Sequence, residues 1–576
     1  MTSEDRVNDG ERTAPTLYIR AGGGDHRRRG EFRRGSGSII LLILMALVLA
    51  ACGTTGEGTA SPDVGERSPD EGGEDAGGDE DVEQLTWRVQ ALVNLDSARA
   101  LDNGSKSVQA LMTESLVTLD DDLNVVPWLA ESWEQVDDLT YRYTLRPDVT
   151  FWDGSPLTVE DVIYSFERHN DPDVGSIVGT FRNVESVQET GDREVTVTLT
   201  QPQVDFQWSP TFAPIVQKAF AEEIGEDFGA PGSDTVMGTG PYRLVNFEAD
   251  TSVDLARNDD YWGERPIFEN VRIVLLADAE AAKLAMRAGE IDGAFQITPT
   301  SIEEWRGLEG VAVESAPPMS PAFFAWDLRV EPWNDVHVRR AIAHSLDREG
   351  LVESLFPGAG EPATSLVPKA QWDGLDLPEG RVDEIYNSLR TYEFDLDQAR
   401  EELEQSNFPD GFSATVEYAD AKPPLGRAAE TLAQNLAQIG IDLEVREVPL
   451  SQEIAAVTGH EGGFRALSFE AEEVNPTDFP AFMLPSEFAR PGGFNVPHYL
   501  NEEVDALIDE ASVTADVEER AEALAELMRI IAEDLPYLPI WWQSTVAAVS
   551  DDYTFENYHA LWFKKGIWVS HIRSAG

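Results

Sequence analysis

Residues 129–169 read LAESWEQVDDLTYRYTLRPDVTFWDGSPLTVEDVIYSFERH. Between Leu139 and Arg146 apolar and polar side chains alternate, which puts Leu139, Tyr141, Tyr143 and Leu145 on one face of a strand. Pro147 ends that strand. Asp153-Gly154 is a turn pair in which glycine is free to take positive φ, and Pro156 follows it. Thr158 stands as an N-cap, with Asp161 in the position of a capping box. Val159, Val162, Ile163 and Phe166 then share one helical stripe. Strand, turn and helix in this succession predict mixed α/β packing.

The flanking sequence keeps alternating between the two periods. Leu85 to Val89 and Glu194 to Leu199 alternate as strands, and Ser107 to Leu116 has helical spacing. Met237-Gly-Thr-Gly-Pro-Tyr242 is a turn leading into a strand, because its glycine spacing is not that of a phosphate loop and no lysine follows. Ala279 to Gly289 reads as a helix closed by glycine, leading to a strand over Gly293 to Ile297. Val338, Ala341, Ile342, Ser345 and Leu346 form the inward stripe of the next helix. Ala428, Leu432, Leu436 and Ile439 do the same in a helix stopped by Gly440, ahead of a strand through Ile441, Leu443 and Val445. Two helices, Asn501 to Ala511 and Asp516 to Asp534, precede a strand near Leu535 to Ile540. The aromatic block Tyr553 to Trp568 is expected to pack back on the first part of the chain. No short-period repeat argues for a solenoid.

Several of these words resemble the family 5 extracellular solute-binding proteins, the peptide/nickel-type receptors of bacterial ABC importers. In the opening stretch the matching words are Ala130-Glu-Ser-Trp133, Leu145-Arg-Pro147, Phe151-Trp-Asp-Gly154, Pro156 and Glu160-Asp-Val162. The words Gly238-Thr-Gly-Pro-Tyr242, Asn258-Asp-Asp-Tyr-Trp-Gly263, Gly289-Glu-Ile-Asp292, Val336 to Arg348 and Leu535 to Ile540 follow in the family's order, from about residue 84 to 576. Ser97 stands where the family has a proline.

The resemblance implies an α/β fold, a periplasmic-binding-protein-like (type II, cluster C) two-lobed clamp with an extra subdomain in the first lobe. It places lobe one at 84–325, lobe two at 326–543 and a return to lobe one at 544–576. Hinge crossings are expected near Phe324 to Asp327 and Pro539 to Ser544. It implies a receptor that captures a peptide outside the cell and delivers it to ABC permease and ATPase subunits as a monomer. An oligosaccharide, an opine-like amine or a nickel chelate is the alternative solute.

The resemblance also points to a site, the loop Ser468-Phe-Glu-Ala-Glu-Glu-Val-Asn-Pro-Thr-Asp478. In peptide-binding members the first aspartate of this loop holds the ligand's α-ammonium. Glu472 takes that place here, Phe469 that of a tryptophan and Asn475 that of the aspartate before Pro476. The bland alternative is a solvated acidic loop. Trp326 and Asp327, with tryptophan in place of the usual asparagine, either line the cleft or belong to the core. Trp208, with Phe206, lies in a segment that approaches ligand in the family, core being the other reading.

The N-terminus carries its own signals. Residues 1–51 read as an export signal: an Arg-rich start, then the apolar run Ile39 to Ala51, shorter than the roughly 20 residues of a membrane span. Leu49-Ala-Ala-Cys52-Gly53 resembles a lipobox, in which Cys52, the only cysteine, is diacylated, whereas a plain export signal would leave it incidental. Two acyl chains would anchor the protein to the outer face of the membrane. Residues 52–83, rich in Gly, Ser, Pro, Asp and Glu, cannot bury a core and are expected to be a flexible acidic tether.

Composition excludes other classes. The 576 residues carry 43 Lys plus Arg against 106 Asp plus Glu, a formal net charge of −63, which argues against nucleic acid as a partner. Such acidity gives a strongly solvated surface and also suits high salt, where self-repulsion is screened. One cysteine allows no intrachain disulfide, and no HExxH spacing points to a metal, so no cofactor is expected. There is no G-x-S-x-G elbow, and nothing in the sequence marks an enzyme. A secreted hydrolase or chaperone-like protein on the same fold is the remaining alternative.

Overall fold

The computed structural model describes residues 81–575, apart from 101, 172–173, 175–180 and 182. The export signal, Cys52 and nearly all of the tether lie outside the described residues. The strand Val82–Val89 sits inside a seven-stranded sheet, parallel to Phe268–Leu275 on one side and to Gly293–Ala294 on the other. Ser252–Arg257 and Tyr242–Glu248 extend one flank, and Val546–Ser550 and Val311–Ser315 the other. Leu85, Trp87 and Val89 point into its core with Leu255, Val271 and Ile273.

A second, six-stranded sheet runs in the order Gly360–Pro362, Tyr537–Gln543, Ser320–Trp326, Phe464–Ser468, Ser413–Ala419, Asp442–Val448. Each large sheet forms the floor of one lobe. The chain passes from the first to the second between Ser315 and Ser320, and returns between Gln543 and Val546. The first crossing precedes the expected 324–327, because Ser320–Trp326 pairs along its length with strands of the second sheet and every residue in it is buried. The return lies at the end of the expected 539–544.

The opening stretch builds a smaller four-stranded antiparallel sheet, in the order Ala130–Asp137, Thr140–Leu145, Glu194–Leu199, Val184–Gly191. The helix Val159–Asn170 covers it, and Thr158 and Asp161 form the reciprocal capping box. Tyr141, Tyr143 and Leu145 pack with Val162 and Phe166 in a core of their own. This is the extra subdomain of the first lobe.

Two local expectations shift. The first helix spans Asn103–Met112 rather than 107–116, because Asp102 accepts the Ser105 amide and caps it earlier. Its glycine is a packing need: a Cβ on Gly104 would lie 1.8 Å from the Ala91 carbonyl oxygen. The strand expected over 293–297 narrows to Gly293–Ala294, and Gln296 takes a left-handed φ of 53° just beyond it. The aromatic block does return to the first lobe: Trp568 is fully buried, 5.0 Å from Trp87 and 4.9 Å from Phe295 between ring centroids.

Candidate functional site

The strand Phe464–Ser468 ends in the second lobe's interior, and the loop after it runs toward the first lobe. Its beginning is anchored by packing. Phe469 is half-buried among Phe323, Phe482 and Phe494 at centroid distances of 5.5, 5.7 and 5.8 Å. Its end is fixed by hydrogen bonds. The side-chain oxygen of Asn475, Oδ1, accepts from the Thr477 amide and hydroxyl (3.1 and 2.6 Å) and from Arg520 Nη2 (2.8 Å). Arg520, on the helix Val517–Asp534, also donates to Thr477 Oγ1 at 3.0 Å.

Between these anchors the loop touches three elements of the first lobe. Asn475 Nδ2 donates to Asp205 Oδ2 at 2.8 Å, just ahead of the turn Phe206–Phe212. Glu472 Oε1 accepts from Lys106 Nζ at 3.0 Å, on the helix Asn103–Met112, and lies 3.2 Å from Lys564 Nζ, on the short helix Trp562–Lys565. Lys564 also donates to the Ala471 carbonyl at 2.6 Å. Trp208 is 7% exposed and joins Leu119 and Leu561 in a cluster made mostly of second-lobe side chains. Side chains of the two lobes touch here.

The charges of this interface are unequal in their partners. Burial pushes the Glu472 carboxyl up, but the ammonium groups of Lys564, Lys106 and Lys565 outweigh it and hold it well below the usual carboxylate range. Burial, with the charges of Asp205 and Asp478 beside it, pushes Glu473 well up. Burial also pushes Asp478 up to about 7, although it accepts from the Glu472 amide and from Gln371 Nε2. Lys565 is pushed down to about 7 by burial, against the pull of Glu472 and Glu473. Its Nζ donates to Thr211 Oγ1 at 3.2 Å and sits 3.0 Å from the centroid of the Phe212 ring.

Lys106, Lys564 and Lys565 line a cavity of about 330 Å³ in the first lobe. Its wall includes Glu114, a buried carboxylate that accepts from Trp128 Nε1, Tyr261 Oη, Trp262 Nε1 and Thr239 Oγ1 at 2.7 to 3.0 Å. With four donors Glu114 is saturated, and it ties the Tyr261-Trp262 segment to the Gly238-to-Tyr242 turn. That turn lies close against the first helix: a Cβ on Gly238 would fall 2.0 Å from the Met112 carbonyl oxygen. A second hollow of about 350 Å³ lies inside the second lobe, beside Arg348, whose guanidinium is tied to the carbonyls of Pro539 and Tyr392.

Of the residues singled out in the sequence, the structure brings Glu472 and Asn475 to the interface and puts Phe469 and Trp208 in the apolar cluster beneath it. Trp326 lies elsewhere. It is 0% exposed in another core of the second lobe, stacked on Phe464 and Trp333, and its indole nitrogen donates to the Leu535 carbonyl at 2.9 Å. Asp327 is 3% exposed and forms a two-pronged pair with Arg329, at 2.8 Å for each prong. Lys106, Lys564, Lys565, Asp205 and Arg520 were not singled out. The signal for the lysines was their rarity: the chain has only seven, two of them adjacent at 564–565.

The family model of the bacterial extracellular solute-binding proteins, family 5, matches residues 124–486. The chain is 27% identical over 476 residues to the glutathione-binding protein of Salmonella typhi, covering 80% of this chain and 89% of that one. It is 26% identical over 445 residues to a probable di/tripeptide-binding protein of Pseudomonas aeruginosa, covering 72% and 81%. In three dimensions it is similar to the ABC transporter-associated periplasmic binding protein DppA of Helicobacter pylori in complex with the peptide STSA. The TM-score there is 0.74 at 20% identity, over 86% of this chain and 99% of that one.

Proposed function

The chain belongs to the bacterial extracellular solute-binding proteins of family 5, and from that premise we propose that it captures a short peptide outside the cell and hands it to an ABC importer. Proteins of this family are receptors rather than enzymes, and they work with permease and ATPase subunits. The peptide assignment is supported by the glutathione- and di/tripeptide-binding relatives and by the peptide-bound structural neighbour. The observation that carries it is the loop 468–478, whose side chains reach three elements of the opposite lobe.

Ligand contacts drawn from both lobes exist only when the lobes are together. A peptide therefore shifts the population toward the closed form, and that form is what the importer reads. Glu472 and Asn475 are the polar contacts of this reading, and Phe469 and Trp208 the apolar support. Trp326, at the end of the strand Ser320–Trp326, and Asp327, just beyond it, are the remaining candidates, held in the second lobe by core packing and by the pair with Arg329. Cys52 anchors a monomer to the outer face of the membrane through its acyl chains, with residues 52–83 as spacer. Replacing it, Cys52→Ser, is expected to move the protein from the membrane fraction to the soluble fraction.

Thermal unfolding of the purified protein against di- to hexapeptides, N-acetylated copies, oligosaccharides and nickel chelates tests the ligand class. A ligand at 100 times its Kd adds about 2.7 kcal/mol, a visible shift. Shifts with peptides are expected. Shifts confined to sugars or chelates would keep the receptor and discard the peptide.

A further inference from the structure

A peptide carries charge of both signs, and the charges of the cleft decide which of them it holds. In a chain of 106 acidic residues and only seven lysines, three of the seven meet in one cleft. Lys106 and Lys564 share one oxygen of Glu472, at 3.0 and 3.2 Å. That is the place where the resemblance implies a ligand ammonium, and the chain fills it with two ammonium groups of its own. Glu472 is thus already compensated before any ligand arrives.

Lys565 is not. Among the described residues no carboxylate lies within 4.0 Å of its Nζ, although acidic residues are the chain's commonest charged groups. An ammonium has three donors. Thr211 Oγ1 accepts one, and the Phe212 ring face takes the charge from one side. The same side chain lines the cavity of about 330 Å³, together with Lys106 and Lys564. Glu472 pulls on it only from beyond contact distance and is already paired with Lys106 and Lys564, and a cation held in a cleft with no carboxylate in contact is costly unless something anionic joins it. The nearby acids do not fill that role: Glu473 and Asp478 are pushed toward their neutral forms by burial and by neighbouring carboxylates.

We propose that the cleft holds its peptide by a carboxylate, received by Lys565 with Lys106 and Lys564 alongside, while Glu472 serves as the internal counter-ion that positions those two lysines. The proposal rests on the peptide-receptor reading. The ligand carboxylate is supplied by an acidic side chain or by the peptide C-terminus, two sources with one chemistry.

Four tripeptides separate them: Ala-Glu-Ala and Ala-Gln-Ala, each as free acid and as C-terminal amide, titrated calorimetrically at pH 6 into the purified protein. One carboxylate is expected to raise affinity at least tenfold, and the four-way comparison identifies which. Lys565→Met is expected to bring all four peptides within twofold of one another, and Lys565→Arg to keep the preference. Equal affinity for all four in the parent protein would overturn the proposal and leave the peptide reading standing, as would a preference that survives Lys565→Met. So would loss of binding on N-acetylation of the peptide together with loss in Glu472→Gln. No binding of any of the four would overturn the peptide reading and this proposal together.

Discussion

Lys565 and Asp478 titrate in the same range for opposite reasons. Burial lowers the lysine to about 7 and raises the aspartic acid to about 7. For the aspartic acid the native state binds the proton more tightly than the unfolded chain, so its contribution to stability is full below pH 3.8 and is lost as pH rises through 7. For the lysine the unfolded chain holds the proton more tightly, so stability is recovered between pH 7 and 10.5. Urea unfolding should therefore show Asp478→Asn removing part of the loss between pH 4 and 7, and Lys565→Met removing part of the recovery above 7. A carboxylate ligand needs the lysine charged. Affinity should fall above pH 7 by up to about tenfold per pH unit, with proton uptake visible in calorimetry across buffers of different ionisation heat. Glu472, Glu473 and Asp478 on the loop, Lys106 on the first helix and the neighbouring Lys564 all face this group and set its midpoint.

The loop 468–478 has little regular structure before Asp478 and depends on its supports. Arg520 is the chief one: 8% exposed, bonded to Asn475 and Thr477, and 3.9 Å from Asp205 of the other lobe. Arg520→Met removes the cation from a buried set of acceptors. It should cost about 3 kcal/mol in urea unfolding and weaken peptide binding as well. A loss below about 0.5 kcal/mol, the usual range for a surface change, would mean the loop stands without it. Elements built on local patterns are the ones that sequence suffices to specify. The strand Thr140–Leu145 and the capping box at Thr158 are local patterns, and both were legible. Trp326 was ambiguous because Ser320–Trp326 is buried on both faces, and a strand without alternation does not tell one side from the other. Arg520 was invisible because its partners lie 43 and 45 residues away. Lys106 and Lys564 meet at one carboxylate only after the chain has crossed between the sheets twice. Spacing cannot report that.

For the whole molecule, two sheets are joined by two short crossings, each sheet has a core of its own, and a further apolar cluster takes side chains from both lobes. The words that carry the family resemblance lie mostly in turns and caps, and for this reason the fold was legible and the ligand contacts less so. The net charge of −63 sets a second property of the whole. Raising NaCl from 0.05 to about 1 M shortens the screening length to about 3 Å, so self-repulsion weakens and the melting temperature should rise. Peptide affinity should fall over the same range, because its charge contacts are screened. A melting temperature that falls with salt would show that specific ion pairs outweigh the net repulsion. The most direct test of the central claim is native mass spectrometry of the purified protein in an equimolar mixture of short peptides, oligosaccharides and nickel chelates. The account predicts one peptide per chain, enriched in carboxylates over lysine-bearing sequences. A chain that stays at its unliganded mass, or that selects the sugar or the chelate, would contradict it.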